Sequence, residues 1–197
     1  MKTLKIITAA TTEPLSLAEA KNHLRVLTND EDALISVLIT AARQWCENFT
    51  GRALASQIFE YILDDFPEED EKIILPMPPL ETVDSIKYKD FEETETEWNA
   101  VNYIVDDESI PARIALAYGK YFPSYTPYPV NSVRIRFTAG YKEGGDPHLE
   151  MPEQINSAIK LLIGHLFENR ENVVIGSAAN KVPFTVEALL YPYKVNW

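Results

Sequence analysis

Three histidines, a single cysteine and runs of carboxylates are the side chains with which this chain could do chemistry. His23, His148 and His165 fall in three separate stretches. His165 and Glu168 are spaced i, i+3, a helical spacing found in metal sites, but a metal needs several such pairs and no second one occurs. Cys46 lies among apolar residues with no histidine placed by the sequence to activate it, so it reads as a small buried side chain. The sequence has no GxSxG, phosphate-binding glycine loop, HExxH, CxxC or DxDxDG. No catalytic residue, cofactor site or metal site is therefore expected. A small enzyme with a carboxylate site, for example near Asp106, Asp107 and Glu108, is an alternative that requires two carboxylates converging in one pocket.

The acids gather in two clusters. Asp64, Asp65, Glu68, Glu69, Asp70 and Glu71 form one; Asp90, Glu92, Glu93, Glu95 and Glu97 form the other. Solvated hairpin tips explain such runs. A sharper reading is a wall facing a passage for DNA, because like charge keeps the polymer from sticking. The formal charge of −12 argues against wrapping nucleic acid by neutralising phosphates. An acidic binding module that imitates DNA is a further alternative; it would be a stable monomer with salt-sensitive binding to a basic partner.

The elements that position these groups follow from periodicity. Residues 28–51 read as one long helix, with Thr28 and Glu31 as a capping box and Gly51 as its left-handed stop. Its apolar residues cover roughly 200° of surface, beyond the ~100° stripe of an ordinary surface helix. Either it is buried nearly all round, or one face serves a core and another a partner. Before it, Ser16 and Glu19 form a capping box for a short helix, preceded by an extended lead-in over residues 1–13. After Gly51 the period changes to alternation. Residues 56–63, 82–88, 100–105, 113–118 and 132–139 read as strands of an antiparallel sheet segregated from the helices. In the last of them Val133, Ile135, Phe137 and Ala139 alternate with Arg134, Arg136 and Thr138, which marks one face buried and one solvated.

A loop with Gly144 and Gly145 leads to a third long helix, opened by Pro152 and Glu153. Ile155, Ala158, Ile159, Leu162, Ile163, Leu166 and Phe167 are its core stripe. Ser157, Leu161 and Gly164 lie opposite, where a close backbone neighbour is one explanation. After an irregular stretch the chain closes on an apolar, aromatic segment. It is either a short helix over residues 186–190 folded back on its own helices, or an arm that docks on another chain. The fold class is thus α+β: a helical bundle of three main helices plus a short C-terminal one, over residues 1–55 and 140–197, with a β-rich region inserted at 56–139. A lone cysteine allows no intrachain disulfide, the N-terminal apolar run is too short for a signal peptide, and no apolar run is long enough to span a membrane.

EPLSLAEAKNHLRV, NDEDALISVLITAARQWCENFTGRAL, VRIRFTAGY, MPEQINSAIKLLIGHLFENRENVVIG and VPFTVEALLYPYKVNW resemble, in order, blocks of tailed-phage head–tail connector proteins, also called head-completion adaptors. The resemblance covers nearly the whole chain and rests on the number and order of blocks. It implies a ring of about twelve subunits beneath the portal, a platform for the next neck or tail protein, and a helical bundle as the common core. It implies the virion neck as location, after synthesis in the bacterial host cytoplasm, with DNA passing through and not specifically bound. A ring subunit must bury two flanks against copies of itself, and Ser157, Leu161 and Gly164 are the expected ring-facing residues. Phe184, Leu189, Leu190, Tyr191, Tyr193 and Trp197 are the expected portal- or neighbour-binding residues, by resemblance to connectors whose C-terminal segment reaches the portal. On this reading, deletion of residues 192–197 leaves a folded protein that no longer joins portal-bearing capsids.

Overall fold

The alternation over residues 132–139 puts that segment at the centre of an antiparallel sheet. The computed structural model describes residues 2–142, 146–170 and 184–195. Its strands are β1 (Lys2–Thr8), β2 (Gln57–Leu63), β3 (Ile73–Ile74), β4 (Leu80–Lys89), β5 (Glu95–Glu97), β6 (Tyr103–Asp106), β7 (Arg113–Leu116) and β8 (Val133–Ala139). Its helices are α1 (Leu17–Leu24), α2 (Asp32–Thr50), α3 (Glu153–Glu168) and α4 (Phe184–Leu190). The chain is α+β, and the strand pairings are antiparallel.

The strands form two sheets rather than one. The larger has the order β1-β2-β8-β4-β5 and the smaller β3-β7-β6. Alternation explains how they meet. Phe59, Tyr61 and Leu63 of β2 and Val133, Ile135 and Phe137 of β8 share an apolar cluster with Ile73 of β3 and Ile114 of β7. Phe59 and Phe137 are register partners whose rings stack at 5.5 Å between centroids. Side chains of opposite parity, Glu60, Arg134 and Arg136, form an ion-paired polar face on the other side.

The lead-in proves to be a strand: residues 2–8 pair with β2 along its length. Residues 100–102 are a 3-10 turn capped by the Asn99 side chain, so β6 starts three residues later than the alternation suggests. The Ser16–Glu19 capping box forms, and Gly51 ends α2 in the left-handed conformation. The cap expected at Thr28 does not form. The helix starts at Asp32, its N-cap is Glu31, and no side chain bonds the first turn. Distant residues claim that turn: Lys21 donates to the Asn29 side chain at 2.7 Å and pairs with Asp32 at 2.6 Å, and Arg170 pairs with Glu31 at 2.5 Å.

The helices share a second apolar cluster, with Ile35, Ile39, Ala42 and Cys46 of α2 against Ile155, Ala158, Ile159 and Leu162 of α3 and Val186 and Leu190 of α4. A buried polar junction ties this cluster to the sheets. Arg43 Nη1 donates to Glu47 Oε2 at 2.7 Å, and Arg43 Nε to Glu13 at 2.6 Å. Glu47 Oε1 accepts from the Leu54 amide at 3.0 Å and from Gln57 Nε2 at 2.8 Å. One carboxylate thereby connects α2, the turn after it and the first residue of β2. Burial pushes the Glu47 carboxyl above its usual range, although Arg43 and the hydrogen bonds pull it back. Beside the junction the chain leaves β8 through Gly140 at φ 144°, where a Cβ would lie 2.2 Å from the Ala55 carbonyl oxygen.

Two predictions follow from this junction. Gly140→Ala adds both a backbone clash and an unfavourable φ, and should cost about 3 kcal/mol, read as a fall of roughly 10 °C in thermal midpoint. Glu47→Ala orphans a buried guanidinium contact and two N–H donors and should cost ~3 kcal/mol in urea melts, whereas Glu47→Gln keeps an acceptor for Leu54 and Gln57 but turns an N–H donor toward Arg43 and should cost a smaller ~1–2 kcal/mol. Because the folded-state pKa of Glu47 is raised, the unfolded chain releases this proton first as pH climbs past 4.5. Wild type should therefore lose stability relative to Glu47→Gln as pH rises from there through the raised value; a gap that stays constant with pH contradicts this.

Candidate interaction surfaces

The side chains that could have formed a reactive centre are held apart or committed elsewhere. Cys46 is fully buried in the helical cluster, and burial pushes its thiol up to about 12, so it is inert. His23 of α1 sits over Gly164, His148 is in a 3-10 turn, and His165 lies beside Asn169. Among the described residues no group of three or more His, Cys, Asp or Glu could hold a metal ion, and no helix is long and apolar enough to cross a membrane. Asp106 accepts from Arg113 Nε at 2.6 Å and from Ser109 Oγ at 2.8 Å, and these bonds hold its carboxyl below the usual range. Asp107 and Glu108 are exposed. A cleft of about 650 Å³ does have two carboxylates on its wall, Glu13 and Glu19. Glu13 is bound to Arg43 and Glu19 closes the capping box with Ser16, which also lowers its pKa. Both acids are structural.

The surfaces carry more information. The closing segment is folded back on the helices over residues 184–195. The faces of α4 divide it: Val186 and Leu190 are buried, while Phe184 is 82% exposed. Leu189 and Tyr193 are half-buried against the same cluster. Arg52 Nε donates to the Tyr193 carbonyl at 2.6 Å, the Val195 amide donates to the Thr50 carbonyl at 2.7 Å, and the Tyr193 hydroxyl bonds Gln154. Tyr191 faces outward at 73% exposure. Of the six residues expected to bind a neighbour, Phe184 and Tyr191 thus present their rings to solvent, Leu190 serves the subunit's own core, and Trp197 lies outside the described residues.

On α3, Ser157 and Leu161 are exposed. Gly164 is half-buried, with His23 and Leu24 of α1 at 3.6 and 4.0 Å from where its Cβ would be, so its close neighbour is α1. The two sides of α2 differ in the same manner. Ile35, Ile39, Ala42 and Cys46 are buried, and Ala33, Val37 and Ala41 form an exposed strip on the far side, with Val37 at 65%.

Strand pairing brings the two acidic clusters to one place. Leu63 is register partner of Val133, and Val133 of Tyr88, so Asp64 and Asp90, just beyond Leu63 and Lys89, leave the sheet at the same end. The helical cluster adjoins the other end, through Gln57 and Ala139. A seven-residue strand separates them, about 20 Å. The loop that spans the acidic end is anchored by acceptors from both clusters. Asp64 accepts from the Asn131 amide at 3.0 Å, Asp65 from the Tyr125 hydroxyl at 3.0 Å and Glu93 from the Tyr128 hydroxyl at 3.4 Å, while Asp90 accepts from the amides of Glu92 and Thr94 in its own turn. Lys87 pairs with Glu95 and Lys89 with Glu93. Glu68, Glu69, Asp70, Glu71, Glu92 and Glu97 are exposed.

Two features escaped sequence reasoning. Phe66, Tyr88, Trp98, Phe122 and Tyr125 cluster under the acidic end, with Phe66 stacked on Phe122 at 5.0 Å and Tyr88 tilted on Tyr125 at 4.8 Å between centroids; aromatics flanking each acidic run were the available signal. The other is β1, a sheet edge with Leu4, Ile6 and Ile7 exposed.

Comparison with known proteins bears on what these surfaces serve. No curated protein matches the chain in sequence. Among solved structures, a chain in the neck of an empty gene transfer agent particle, computed with C6 symmetry, superposes with TM-score 0.78 at 28% identity; the match covers 99% of this chain and 96% of that one. A chain in the virion of the native gene transfer agent particle gives 0.75 at 28%, and one in its native neck computed with C12 symmetry gives 0.74 at 27%, with the same coverage. Residues 14–117 match the family model of the phage gp6-like head-tail connector proteins. These relatives are structural parts of particles and not enzymes, which removes the enzyme reading of Asp106 and its neighbours. Both the matched half of its sequence and its fold therefore make this chain a member of the phage gp6-like head-tail connector family.

Proposed function

We propose that this chain is a neck adaptor that forms a closed ring of about twelve copies between the portal and the next neck or tail protein. The observation that carries this reading is the end-to-end match to neck chains, 99% of this chain against 96% of theirs, in particles treated with C6 and C12 symmetry. The virion neck is then its place, reached after synthesis in the host cytoplasm. The helical bundle of residues 1–55 and 140–197 is the docking body, and the β-rich region of residues 56–139, extended by β1, projects from it.

Exposed apolar surface on more than one side of the helices supports a subunit with two flanks to cover: Val37 on α2, and Leu161 beside Ser157 on α3. Phe184 and Tyr191 lie on a segment fastened to the core, which suits rigid anchors in a portal contact, since little ordering entropy remains to be lost. The acid-rich end of the sheet is the part that faces the passage. There it repels the phosphate backbone without binding it.

Because Tyr193 and Val195 are bonded to the helices, removing residues 192–197 would disturb the fold as well as the contact. Substitution of the two exposed rings is the cleaner test. Phe184→Ala with Tyr191→Ala should leave the melting curve within ~0.5 kcal/mol of wild type. Each substitution should cost about 2 kcal/mol of portal binding, roughly thirtyfold, measured by co-sedimentation with portal-bearing capsids. Undiminished capture would remove the portal role of this segment. Light-scattering mass with and without the cognate portal tests the ring.

A further inference from the structure

We infer that the two edges of the five-stranded sheet are mates: β1 of one copy lies beside β5 of the next, as a seam of the ring. This rests on the ring proposed above and adds to it where the subunits join.

The larger sheet ends in two unlike edges. β1, KTLKIIT, is exposed at six of its seven residues, and Ile6 is 59% exposed. Such a strand presents unpaired backbone N–H and C=O groups along one side and is sticky unless covered. Its ionisable side chains, Lys2 and Lys5, are both basic. At the opposite edge β5, ETE, is exposed throughout and carries Glu95 and Glu97, with Glu92 and Glu93 in the turn before it.

The register places these charges so that they can meet. Lys2, Leu63, Val133, Tyr88 and Thr96 form one row across the sheet. Thr3, Ile62, Arg134, Lys87 and Glu97 form the next. Lys5 shares the face of Thr3 and Glu97, since side chains alternate. Set laterally against another copy, Lys5 therefore stands diagonal to Glu97, a separation of ~7–8 Å that long side chains bridge. Four successive antiparallel pairings also make β1 and β5 run in the same direction, so the seam is a parallel one.

Charge selects this pairing over its competitors. Two β1 edges would oppose lysine to lysine, and two β5 edges glutamate to glutamate. Only the unlike edges attract. A contact between different patches is head-to-tail, the kind that closes into rings, whereas like-with-like pairing stops at a dimer. The bulge between Ile6 and Thr8 adds a further obstacle to self-pairing.

The test is a charge exchange in the full chain assembled on portal-bearing capsids. Lys5→Glu and Glu97→Lys should each lower assembly about tenfold while leaving the monomer's circular dichroism and melting curve unchanged, since both residues are exposed. Combining them restores the pair at every seam and should bring assembly back to within about threefold of wild type. Independently, Lys2→Cys with Thr96→Cys, in the same row, should give on oxidation a ladder of covalent multimers; Cys46 is buried and does not contribute. A ring of wild-type mass whose subunits give no ladder and tolerate both single reversals overturns the seam and leaves the ring standing. Crosslinks from position 2 to the portal instead of to another copy overturn it as well. A wild type that stays a single subunit on capsids removes ring and seam together.

Discussion

Glu47 is where the two parts of this molecule are fixed to one another. Each apolar cluster closes on itself, and hydrophobic contact alone is non-directional. The carboxylate that takes Arg43 from α2, the Leu54 amide and Gln57 of β2 has few alternative arrangements. Burial raises its pKa despite the attraction of Arg43 and three hydrogen bonds, and a buried pair held by such directional bonds fixes geometry. In the ring proposed above, an angular error between body and projection would be repeated at every copy. A rigid, directional junction is the device that such repetition demands.

That junction also gives meaning to the distribution of charge. With the helices at one end of the sheet and both acidic clusters at the other, the strands act as struts that separate an apolar, contact-making end from a repelling one. The acids at the far end are partly absorbed into structure, as turn acceptors or as partners of Lys87 and Lys89. What remains exposed, Glu68, Glu69, Asp70, Glu71 and Glu92 among it, gives this end a dense negative charge. The aromatic stack beneath makes this end firm although its rim is highly charged.

Local signals were legible in the sequence where neighbours in the chain decide the structure. The Ser16–Glu19 box, the stop at Gly51, the alternation of β8 and the stripe of α3 each depend on residues within a few positions, and each formed. Thr28 failed as a cap for a tertiary reason, since Arg170 claimed Glu31, the acid that the capping box would have used. The meeting of two acidic runs, and the Arg43–Glu47–Gln57 contact, depend on pairings between segments far apart in the chain, which no local period encodes. Arg43 and Glu47 do stand at i, i+4 within an otherwise apolar arc, and that anomaly was the readable trace of a buried pair.

β1 was hardest to read because an edge strand lacks the usual signature. A strand with one buried face alternates; a strand exposed on nearly every residue does not, so KTLKIIT read only as part of an extended lead-in. Its ambiguity in sequence and its exposure in the subunit have one cause, the missing second neighbour. A segment rich in isoleucine and threonine that is left uncovered is a liability to a free protein. That liability stays small when the segment's charges repel its own kind, and it turns to use when they match the far edge of an identical sheet. In the proposed seam the same two lysines repel a second β1 and face the glutamates of β5, so that one short strand would serve both solubility and assembly.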